Sequence, residues 1–188
     1  MVWIVIALVL IAAVGPVFYL MPSKSSRRQA ALRTAARQAG LVVEVGSVPK
    51  LDADATERVS SGGAPRDAKI DCAVYRLPLA RRLVKAPRWM LLKSARENRF
   101  LDGWTTLTPP VAVPVERAAY WREVAGIVDA LPGNCVAVEA GRQAVSWYGT
   151  ERVGGTDPDT LAQGIRDGLE RLAKVHERIE RTASRQRC

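Results

Sequence analysis

The sequence has a single histidine, His176, and three cysteines, Cys72, Cys135 and Cys188, in 188 residues. One histidine excludes a multi-histidine metal centre and limits nucleophilic catalysis to arrangements built on one imidazole. An odd number of cysteines without CxxC spacing suggests neither a disulfide framework nor a zinc ribbon. Cys72 and Cys135 instead sit inside apolar runs, where cysteine behaves as a small buried hydrophobe. No GxSxG elbow is present to mark an activated serine. A further absence is positional, because residues 1–22 carry no charged side chain at all.

That charge-free stretch gives way abruptly to Lys24, Arg27, Arg28, Arg33 and Arg37. Lipid offers a backbone no hydrogen-bond partners, so a span of about 20 mostly apolar residues must be helical to cross the roughly 30 Å hydrocarbon core. Residues 2–21 have that length, which predicts a transmembrane helix, an anchor over residues 1–22. Its bulky end, Phe18-Tyr19-Leu20-Met21, argues against a signal-peptidase site, which requires small residues. Five basic residues and no acidic one lie between Ser23 and Gln38, so the positive-inside rule keeps the following chain in the cytoplasm. The expected location is the bacterial inner membrane, single-pass, with a cytoplasmic C-terminal domain. Unpaired cysteines agree with a reducing compartment.

The formal net charge of +9 is segregated rather than spread. Residues 76–99 hold eight basic residues against Glu97 alone, with Trp89 inside the segment and Phe100 and Trp104 just beyond it. A juxtamembrane basic cluster contributes about 1 kcal/mol per Lys or Arg beside an anionic leaflet. Lys24, Arg27, Arg28, Arg33, Arg37, Arg81, Arg82, Lys85 and Arg88 are therefore the candidate contacts to an anionic surface. The expected partners are membrane lipids through the anchor, anionic headgroups, and a membrane or cytoplasmic protein. Nucleic acid is disfavoured, and a solvated basic face over buried tryptophans is the bland alternative for residues 76–99.

Beyond the anchor, residues 23–40 read as a basic, alanine-rich helix stopped by Gly40. Residues 41–175 read as one soluble α+β domain, with a first strand over residues 41–45 and a mobile loop over residues 49–69. Ile70, Cys72, Val74 and Arg76 alternate onto one face of a second strand, and residues 89–93 form a third. The prolines at 109, 110 and 114 suit an extended connection, and a helix over residues 117–131 ends at Pro132-Gly133. Residues 135–139 and 143–148 read as a hairpin. Asp157 as N-cap and Pro158 at the first helical position open a last helix with Leu161, Ile165, Leu169, Leu172, His176 and Ile179 on one stripe. Residues 176–188 are expected to be the helix end fraying into a basic tail. Strands followed by helix, hairpin and helix predict an antiparallel sheet covered by helices on one face.

Two stretches resemble chemical motifs. Residues 149–156, Gly-Thr-Glu-Arg-Val-Gly-Gly-Thr, match the phosphate-binding GxxxxGK[ST] loop except that Gly155 stands where the lysine belongs. His176-Glu177-Arg178-Ile179-Glu180 begins like HExxH but ends in glutamate, leaving too few ligands for zinc. No catalytic, metal-binding or cofactor-binding residue is assigned, and no cofactor is expected. A cleft built from acidic residues such as Glu44, Glu139 and Glu151 is the route by which an enzyme would arise.

The anchor ending Tyr19-Leu20-Met21-Pro22-Ser23, followed by Arg27-Arg28-Gln29-Ala30-Ala31-Leu32-Arg33, resembles a family of single-pass membrane proteins of gamma-proteobacteria. More loosely it is similar to the YajC-type accessory subunit of the bacterial preprotein translocase. That second resemblance implies a short β-rich domain with a glycine-containing strand-turn, of which Val45-Gly46-Ser47 is an echo. Taken together, the expected function is a non-enzymatic binding or scaffolding domain close to the bilayer, with a translocase-like accessory subunit or a membrane-surface enzyme as alternatives.

Overall fold

The computed structural model describes residues 3, 23–60, 62–94, 101–107, 118–132, 134–151 and 155–185. The expected anchor lies outside them apart from Trp3, as do the connection at 109–114 and the end of the basic tail. Among the described residues no helix is long and apolar enough to cross a membrane.

The first described helix, α1, spans Lys24–Gln38, and Ser23 caps it by accepting from the Ser26 N–H at 3.1 Å. It ends in a Schellman arrangement: Gly40 takes φ +82°, its N–H donates to Arg37, and the Leu41 N–H reaches back to Ala36. Glycine suits that left-handed turn because it carries no Cβ. Leu32, Ala35 and Ala36 are buried in the main core, so this helix is an integral part of the domain.

Strands β1 (Val42–Pro49), β2 (Lys69–Pro78), β3 (Trp89–Lys93), β4 (Trp104–Thr106), β5 (Cys135–Ala140) and β6 (Ala144–Gly149) form one sheet. Its order is β1-β2-β6-β5-β3-β4 and every pairing is antiparallel. Helices α2 (Ala118–Asp129) and α3 (Pro158–Arg185) join α1 in the main core, on the face that carries Tyr75, Trp147, Val145 and Val138. The opposite face carries a smaller cluster of Val48, Cys72, Leu92 and Ala137, with Leu51 packed against it. The α+β class and the antiparallel sheet are thus as the sequence predicts.

Three elements differ from expectation, and the 49–69 connection carries local contacts. Strand β1 runs to Pro49, because Gly46 lets the backbone approach the Val74 side chain, where a Cβ would lie 2.9 Å from it. The three-residue β4 is too short to give an alternation signal. In the 49–69 connection Val59 bridges Pro65, the Lys50 N–H donates to Ala68, and Lys50 pairs with Glu57 at 2.5 Å. Finally, α3 continues through Arg185 where residues 176–188 are expected to fray, and Glu180 joins His176 on the inward face.

Leu172 is fully buried on that helix while Arg171 is exposed. Leu172→Asp is expected to cost more than about 4 kcal/mol, since it buries an unpaired carboxylate, and Arg171→Asp to stay within about 0.5 kcal/mol. Urea unfolding of the two variants measures both; equal losses would mean the buried face is misassigned.

Candidate functional site

Strand pairing puts Pro78 opposite Ala144 and Arg76 opposite Ser146, so the β2–β3 loop and the β5–β6 turn emerge at the same end of the sheet. Two backbone bonds tie them: Leu79 N–H to Gln143 O and Leu83 N–H to Arg142 O, both 2.8 Å. Between them opens a groove of about 550 Å³ on the face opposite the helices. Four arginines line it: Arg76 from β2, Arg82 and Arg88 from the loop, and Arg142 from the turn. Arg76 reaches Glu44 at 3.3 Å, whereas Arg82, Arg88 and Arg142 have no ion-pair partner among the described residues. Glu139 also lines the groove, and the Tyr148 hydroxyl donates to it at 2.5 Å. Burial and that carboxylate push the Tyr148 phenol well above its ordinary range, which keeps the proton on the donor.

The loop is secured from behind by α3. The Glu180 carboxylate accepts the N–H groups of Val84, Lys85 and Ala86 at 3.2, 2.6 and 2.6 Å. Burial works to raise its pKa, but the three N–H donors and the Arg81 charge outweigh it, and the net shift is downward. One helical turn earlier, His176 meets the carbonyl of Gly141 through Nε2 at 3.2 Å and the Tyr120 hydroxyl through Nδ1 at 3.1 Å. A carbonyl can only accept, so Nε2 carries the proton and Nδ1 accepts from Tyr120. Trp89 Nε1 in turn donates to the Tyr120 oxygen at 2.7 Å. Every member of this buried chain is satisfied by a neutral imidazole.

The residues singled out by charge fall into three groups. Arg82 and Arg88 line the groove, with the exposed Arg81 beside Glu180 and Lys85 contributing a backbone N–H to it. Lys24, Arg27, Arg28 and Arg37 are exposed along α1. Arg33 is engaged elsewhere: it grips Glu151 in a bidentate pair at 2.5 to 3.0 Å, and Tyr75 donates to the same carboxylate at 2.7 Å. Arg76 belongs to the basic segment 76–99 but is not among the candidate contacts, and Arg142 lies outside that segment. Pairing of β2 with β6, and of β5 with β6, is what brings them to the groove.

Other sequence candidates are not assembled into sites. Trp89 and Trp104 are buried, so they offer no stacking surface, and Phe100 lies outside the described residues. Cys135 pairs with Gly149 at the far end of β6 from the Gly141 turn that His176 contacts, and burial pushes its thiol up to about 12. Asp157 caps α3 itself by accepting from the Thr160 N–H at 3.0 Å, which puts a carboxylate where a bound phosphate would sit. Glu44, Glu139 and Glu151 are each engaged by a different partner, Arg76, Tyr148 and Arg33 respectively. Among the described residues no cluster of His, Cys, Asp and Glu is arranged to hold a metal. Compared with known protein families, curated proteins and solved structures, the chain matches none.

The histidine network predicts a pH dependence with a definite sign. Burial lowers the His176 pKa from 6.5, only partly offset by the Gly141 bond and the Glu180 charge. Below pH 6.5 the unfolded chain binds a proton that the folded chain resists, so stability is full above 6.5 and is lost as pH falls toward the folded value. Because the chain has no other histidine, the slope between pH 7 and 5.5 should vanish in His176→Gln. Denaturant titrations at several pH values measure it, and an unchanged slope would assign the effect to another group.

Proposed function

We propose that this chain is a non-enzymatic binding or scaffolding module of the bacterial inner membrane, tethered by residues 1–22 with its domain on the cytoplasmic side. The observation that carries the binding part is the groove. Guanidinium groups from three chain segments converge on one site whose loops are fixed by backbone hydrogen bonds, and three of the four have no acidic partner among the described residues. Like charges repel, so an arrangement that gathers them without neutralising them is best explained by an anionic ligand. Support for the tether is the uncharged run of residues 2–21 and the basic residues that follow it.

This reading gives α1 a mechanical role. Its N-cap is Ser23, so the domain begins directly where the apolar run ends, leaving no flexible linker in the sequence between Pro22 and the helix. The Arg33–Glu151–Tyr75 contact then fastens the incoming helix to the domain.

Topology is tested by fusing reporters to the C-terminus of the full chain. A phosphatase that needs an oxidising compartment should be inactive and a fluorescent protein bright. An active phosphatase fusion would place the domain on the other side of the membrane and defeat this reading.

A further inference from the structure

We infer that the arginine groove binds the phosphate moiety of a compact, soluble phosphorylated molecule rather than the bilayer or a nucleic acid strand. The inference deepens the binding-module reading and rests on it.

Charge sets the class of ligand. Arg76, Arg82, Arg88 and Arg142 present planar forks suited to bidentate contact with multi-oxygen anions, and one of them is already shared with Glu44. Glu139 is the acid in the lining, and the Tyr148 hydroxyl covers one of its oxygens. A monocarboxylate would offset one of the three arginines without partners, whereas a phosphorylated group carries more charge and more acceptor oxygens.

A second observation lies in the floor of the groove. Ser146 is only 2% exposed, it lines the groove, and its hydroxyl has no hydrogen-bond partner among the described residues. Its oxygen is not fully shut off from solvent, so the hydroxyl is available to donate to an acceptor in the groove. The groove's 550 Å³ falls within the range of small-molecule sites.

Geometry argues against the bilayer. Arg33 meets Glu151 just past the end of β6, while α1 delivers its C-terminus to Val42, opposite Arg76. Ser23 stands about 22 Å of helix away from Gln38, the end of α1 that leads into β1. The groove is also on the sheet face opposite α1. Surface charges are screened within about 8 Å at physiological salt, so the leaflet next to Ser23 is out of reach. Nucleic acid is disfavoured because no aromatic side chain lines the groove and the arginines converge instead of forming a track.

The test uses the full chain in nanodiscs of phosphatidylcholine, with inorganic pyrophosphate titrated calorimetrically at low salt. Saturable binding is expected, weakened at least tenfold by Arg82→Gln with Arg88→Gln, weakened several-fold by Ser146→Ala, and unchanged by Arg171→Gln on the exposed side of α3. Equal weakening by Arg171→Gln would reduce the effect to net charge and overturn the proposal. Capture on phosphatidylglycerol vesicles that persists in excess pyrophosphate would overturn it in favour of a lipid headgroup. Binding of poly-glutamate without pyrophosphate binding would overturn the phosphate assignment and leave the binding module standing. Binding of none of the probes, with the far-ultraviolet spectrum of the folded chain intact, would overturn both.

Discussion

The groove depends on one carboxylate. Glu180 accepts three consecutive backbone N–H groups, Val84, Lys85 and Ala86, from a loop that has few ladder partners of its own. Of the three, the Ala86 bond is buried, and a buried N–H without an acceptor would cost about 1–3 kcal/mol, so a charged acceptor is a strong replacement. His176, four residues earlier on the same helical stripe, fixes the neighbouring turn through the Gly141 carbonyl. One face of α3 therefore shapes both sides of the arginine cluster, from behind and without entering it. Such support matters because a guanidinium groove is specific only if its forks are held in position against their own repulsion.

On the helix-covered face of the sheet a second polar contact does a different job. Arg33 and Tyr75 converge on Glu151, and their bonds join α1 to the segment that leads from β6 into α3. The Arg33 side chain remains 38% exposed, so solvent screens the pair and its contribution to stability is modest. Its consequence is positional: the direction from which the chain arrives is set relative to the sheet. Helix α1 ends beside Val42, which pairs with Arg76, so its start at Ser23 is the end of the helix remote from the arginines.

Local signals were legible in the sequence where they did not depend on distant neighbours. Asp157 and Pro158 marked the start of α3, Gly40 marked the end of α1, and the alternation from Ile70 to Arg76 marked β2. The inward set of His176 and Glu180 was harder to see. Both continue the stripe of Leu161, Ile165, Leu169 and Leu172, but polar side chains late in a helix normally signal a solvent-facing end. Only the strands and loops packed against them reveal that each has a backbone partner. The basic density of residues 76–99 pointed to Arg82 and Arg88. It gave no means of separating them from Arg81, nor of adding Arg142 from a turn more than fifty residues away, because convergence is a property of strand order.

The most direct test of this account is amide hydrogen exchange on the full chain and on Glu180→Ala. The Val84, Lys85 and Ala86 amides should be protected in the parent chain and exchange at near-unprotected rates in the variant, while amides around Leu169 in α3 stay slow in both. Parent-chain amides at residues 84–86 exchanging freely would contradict the claim that α3 holds the arginine loop in place.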